Sequence, residues 1–64
     1  MNVTLLNQNQ LNKLNELETV LVTAHGYYFK LEGSTVRVIK QLPQGWVDVG
    51  RFDSAKEALN FLNK

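Results

Sequence analysis

A chain of 64 residues with no cysteine and one histidine, His25, has to hold its fold by packing alone. Without cysteine there is no disulfide, no thiolate zinc site and no cysteine nucleophile. A single histidine excludes a His-rich metal site within one chain. A domain this short buries only roughly 60% of the surface its unfolded chain exposes. Those that fold without staples rely on idealised packing or on a second copy of themselves. Hydrophobic residues make up 44% of the chain and charged residues 20%, with four glycines and one proline. That balance reads as one globular domain over 1–64 rather than a disordered segment.

Seven Lys and Arg stand against six Asp and Glu, a net charge of +1. This is too even for a protein that binds bare phosphate backbone by charge alone. The middle of the chain is less even: residues 25–52 hold Lys30, Arg37, Lys40 and Arg51 against Glu32 and Asp48. No stretch reaches the length of a membrane span, and the N-terminus has neither a basic nor an apolar leader region, so the expectation is a cytoplasmic protein.

Asn7 and Gln10 form the pattern of a capping box, with Leu6 and Leu11 at the staple positions around it. Leu11, Leu14, Leu17 and Leu21 then recur at spacings of three and four, which predicts a one-faced helix over about 8–22. His25–Gly26 suits a cationic last turn with a left-handed stop. Thr19–Thr23 is β-branched enough to read as a strand or a frayed end. Tyr27–Glu32 alternates as a strand, Gly33–Ser34 suits a type II′ hairpin turn, and Thr35–Leu42 is the second strand. Pro43–Gln44–Gly45 turns into a third strand, Trp46–Phe52. Ser54 and Glu57 repeat the capping-box pattern, and Ala55, Ala58, Leu59 and Leu62 share one face of a short final helix. The expected fold is α+β: an N-terminal helix, a three-stranded antiparallel meander and a C-terminal helix.

A two-residue first turn pairs Leu31 with Val36 and Phe29 with Val38, assembling a core face. A three-residue second turn pairs Leu42 with Trp46, Ile39 with Val49 and Arg37 with Arg51. The other face then carries a cationic row, Lys30–Arg37–Arg51, and an apolar row, Tyr28–Ile39–Val49, with Val47 adjoining. Like charges opposed across strands are mildly destabilising and invite an anionic partner, or neutralisation by neighbouring Glu side chains. An apolar row on an open sheet face calls for a cover. The first helix or a second protomer could supply it.

No catalytic constellation is legible, and the expectation is a non-enzyme without metal or cofactor. Ser34 sits in a turn, Ser54 caps a helix and His25 has no carboxylate to orient it. Asp48 reads as a strand-surface residue facing Lys40. The glycines Gly26, Gly33, Gly45 and Gly50 are dispersed and build no phosphate loop. Trp46 reads as core.

The segment Trp46-Val47-Asp48-Val49-Gly50-Arg51-Phe52-Asp53-Ser54-Ala55-Lys56-Glu57-Ala58 resembles a stretch of two DNA-binding modules, the ethylene-response-type domains and the arm-binding domains of phage-type integrases. In both, a strand ending Gly-x-Phe runs into a capped helix opening with Glu-Ala, and the sheet reads the major groove. The likeness spans residues 27–62 and implies Lys30, Arg37 and Arg51 as contacts. This chain lacks the heavy arginine content of those modules and adds an N-terminal helix. Its element order is also similar to double-stranded-RNA-binding domains, without their basic second helix.

Two functions follow as expectations. The first is a small non-catalytic protein-interaction module of an accessory or inhibitory, phage-like kind, self-associating or docking on a larger partner through Tyr28, Ile39, Val47 and Val49. The alternative is a nucleic-acid binder using Lys30, Arg37 and Arg51 on the same face.

Overall fold

Asn7 opens the first helix as its sequence pattern requires. Its Oδ1 accepts from the Gln10 backbone N–H at 2.8 Å, and the Gln10 side chain accepts from the Asn7 N–H at 2.9 Å. In the computed structural model, which describes residues 5–63, this helix is α1, Gln8–Asn15. It is shorter than the leucine spacing predicts. After Glu16 and Leu17 the chain becomes a strand, β1, Glu18–Val22. The β-branched residues of Thr19–Thr23 outweigh the i, i+4 spacing of Leu17 and Leu21, because their stiff side chains fit an extended backbone better than a helical one. His25 and Gly26 accordingly lie in the β1–β2 connection rather than at a helix end.

β2 (Tyr27–Glu32), β3 (Thr35–Leu42) and β4 (Gly45–Phe52) follow, then α2 (Ala55–Leu62). The sheet is therefore four-stranded, not three-stranded, and antiparallel throughout, with spatial order β1-β2-β3-β4. The first hairpin has the predicted register, Phe29 opposite Val38 and Leu31 opposite Val36. Its turn places Gly33 at φ +61° while no non-glycine residue among those described has positive φ, as a type II′ turn demands.

The second hairpin differs from expectation at its near end. Its loop holds two residues, with Leu42 opposite Gly45, and a bulge compensates farther along: Val38 pairs with Gly50 but Ile39 pairs with Asp48. Val49 is the extra residue. A bulge of this kind reverses which face the following side chains take. Val49 thus packs against the α2 side of the sheet, and Asp48 moves to the opposite side, away from Lys40.

The main core lies between the sheet and α2. Phe29, Val36, Val38 and Ala58 are its buried centre, with Tyr27, Val49, Phe52, Ala55, Leu59 and Leu62 packed around them. Ala55, Ala58, Leu59 and Leu62 are the face read from the sequence. Ser54 caps α2 by accepting from the Glu57 N–H at 3.2 Å, so one half of that capping pattern is made. α2 lies over β3 and β4. Leu31, expected in this core, sits beyond the helix on β2 and is 40% exposed.

α1 lies on the other face. Leu6, Gln10, Lys13 and Leu14 share a hollow of about 210 Å³ with Glu32, Arg37 and Asp48 of the sheet. Leu14 and Ile39 are both buried there. Among the described residues no helix is long and apolar enough to cross a membrane.

Candidate functional site

The face covered by α1 is where every residue of the expected binding surface was placed, and the structure disperses them. Ile39 is fully buried, so it belongs to a second, smaller core and not to an interface. Val49 has left this face through the bulge. Val47 forms an isolated antiparallel bridge with Leu5. Tyr28 is half-buried and packs edge-on against Trp46, ring centroids 4.9 Å apart. The open apolar row does not form. Trp46, read as core, is half-buried beside it.

The cationic row is broken up as well. Arg37 donates to Asp48 through Nε (3.1 Å to Oδ1) and Nη2 (2.7 Å to Oδ2). These bonds raise its pKa above the ordinary guanidinium value, against a smaller opposing effect of burial. Glu32 sits between two arginines, its Oε1 3.7 Å from Nη1 of Arg37 and 3.7 Å from Nη1 of Arg51. Lys30 is 7% exposed and donates from Nζ to Thr19 Oγ1. Of the three cations, Arg51 alone keeps a largely exposed side chain, at 61%.

Among the described residues most of the exposed large apolar side chains lie at one edge of the sheet, Leu5 and Phe61 apart. All five residues of β1 are exposed, and three in succession are apolar: Val20, Leu21 and Val22, the last at 50%. Leu21 pairs with Phe29 and so faces the α2 side, where it shares the uncovered strip with Leu31. Among the described residues the backbone of β1 bonds to β2 on one side only. The Thr23 N–H donates inward to the Tyr27 carbonyl at 2.9 Å. By antiparallel alternation the N–H and C=O of its neighbour Val22 point outward.

The two edges of the sheet are managed differently. At β4 the chain's own N-terminal segment covers part of the edge: Leu5 bridges Val47, and the Leu6 N–H donates to the Trp46 carbonyl at 2.8 Å. Exposed edges invite pairing with another chain, and proteins usually blunt them with Lys, Pro, bulges or a covering segment. β1 has a bulge at Val20 but no Lys, no Pro and no cover among the described residues. The signal for this edge was present in the β-branched run Thr19–Thr23. The leucine spacing that crosses the same residues concealed it.

Compared with protein-family models, with curated proteins and with solved structures, the chain matches none.

Proposed function

We propose that this chain is a small, non-catalytic protein-interaction module that engages its partner by strand addition at the β1 edge. What carries the reading is the contrast between its two edges: β4 is partly covered from within, while β1 offers outward backbone groups flanked by Val20, Leu21 and Val22. In strand addition the ladder hydrogen bonds supply affinity and the alternate side chains supply selectivity. Residues Glu18–Val22 hold a single charge, Glu18, so little opposes desolvation of the strand. The nucleic-acid alternative draws on Arg51 alone, since Arg37 is bonded to Asp48 and Lys30 is buried.

Site-specific photocrosslinking tests the reading. A benzophenone amino acid at Val22 should yield defined protein adducts in extracts of the producing cells. The same group at Gln44, an exposed turn residue, should not. Equal adducts from both positions, or none from Val22, would overturn it.

A further inference from the structure

The second chain at the β1 edge is, we infer, another copy of this protein, added antiparallel about a two-fold axis to join two four-stranded sheets into one of eight. The inference rests on the strand-addition reading and names its partner. Three observations lead to it.

The first is the balance of apolar surface. The buried core comprises Leu14, Phe29, Val36, Val38, Ile39 and Ala58, while Leu5, Val20, Leu21, Val22, Leu31 and Phe61 are large apolar residues left exposed. Among the described residues as many sit outside as inside, and four of the exposed six belong to β1 and the adjoining β2. A chain too short to complete its core alone commonly completes it with a second copy.

The second is charge. An isologous two-fold contact must be self-complementary. Antiparallel pairing sends the acidic end of one β1, carrying Glu16 and Glu18, toward the end of the other that carries Thr23, Ala24 and His25, where no carboxylate lies. The carboxylates of the two copies are kept at opposite ends of the junction. A parallel arrangement would stack like charge on like, which is unfavourable.

The third is backbone chemistry. The outward N–H and C=O of Val22 are the groups an added antiparallel strand bonds. Leu21 and Leu31, beyond the reach of α2, extend the apolar strip from the edge onto that face.

The contact is small. A standard interface buries about 800 Å² per partner, and a five-residue ladder with its flanking leucines falls short of that. The expected dimer is therefore concentration-dependent, forming in the micromolar to millimolar range.

Sedimentation equilibrium of the purified full chain across that range tests the inference, alongside Val22→Pro. Proline is tolerated on an edge strand where the lost N–H faces away from the sheet, so the variant should stay folded. The expected result is a doubling of mass in the wild type with rising concentration and a loss of that doubling in Val22→Pro. Should Val22→Pro disturb the fold, as judged by its amide spectrum, Val20→Lys serves instead, placing a cation on the edge. A wild type that stays monomeric throughout, or a dimer indifferent to the folded edge variant, overturns the inference. A monomer that still gives Val22-specific crosslinks to a different protein overturns only the identity of the partner, leaving strand addition in place. A monomer with no such crosslinks removes both.

Discussion

Arg37 and Asp48 are joined by two near-parallel hydrogen bonds, 3.1 and 2.7 Å, although Arg37 stands directly opposite Arg51 in the strand ladder. The bulge at Val49 makes the pair possible, by turning Asp48 to the face that holds Arg37. One residue of irregularity thus sets a carboxylate beside Arg37, which keeps Arg51 as its cross-strand neighbour.

A double-mutant cycle on Arg37→Ala and Asp48→Ala should give a coupling of about 0.5–1 kcal/mol, the value for a partly exposed pair of good geometry. Chemical denaturation of the four proteins measures it. A coupling indistinguishable from zero would mean that the bulge does not serve this pair. The raised pKa of Arg37 contributes stability that is fully present below its unfolded value and lost only as pH rises through the folded one. That window lies in strong alkali, so titration of Arg37 adds no pH dependence near neutrality.

Ile39→Ala should cost about 2–5 kcal/mol, the range for truncating a fully buried aliphatic side chain. A domain of this kind has only about 5–15 kcal/mol in total. Ile39→Asp should therefore leave it unfolded, with loss of amide dispersion. A folded Ile39→Asp protein would show that α1 does not seal this face.

Thr19 and Lys30 predict opposite signs for two substitutions. Lys30 is buried with Thr19 as its hydrogen-bond acceptor. Thr19→Val strands a buried ammonium and should destabilise by about 1–3 kcal/mol. Lys30→Met removes the charge, keeps most of the volume and should be neutral or stabilising. Thermal melts of both variants check the contrast.

Asn7→Ala removes the acceptor for the Gln10 N–H and should cost about 1 kcal/mol. Trp46 reports it directly, because its carbonyl holds the Leu6 N–H and it is the only tryptophan. The Trp46 fluorescence transition should shift to lower denaturant in Asn7→Ala.

Much of this architecture was readable where a local signal had no rival. The Asn7–Gln10 box, the Gly33–Ser34 turn and the apolar face of Ala55, Ala58, Leu59 and Leu62 each rest on a spacing that only one structure satisfies. β1 was obscured because Leu14, Leu17 and Leu21 keep a helical spacing across a stretch whose β-branched residues favour extension. The placement of Asp48 and Val49 failed for a different reason. A two-residue loop plus a bulge and a three-residue loop without one give the same pairing at Val36–Phe52 and Arg37–Arg51. They diverge from Ile39 to the turn, and a glycine inside the strand, Gly50, is the local sequence signal of the irregularity. Val49 left the expected surface through that stretch, while Ile39 kept its face and is buried there.

Because the spatial order of the strands follows their order in the chain, each strand finds its neighbour a short turn away and loop closure costs little at each step. Such layouts fold quickly. The exception is the clasp of Leu5 and Leu6 on Val47 and Trp46, which ties the start of the described chain to its last strand across some forty intervening residues. Contacts of that reach form late and open early, so native-state hydrogen exchange should find the Leu6 amide released before those of the β2–β3 hairpin.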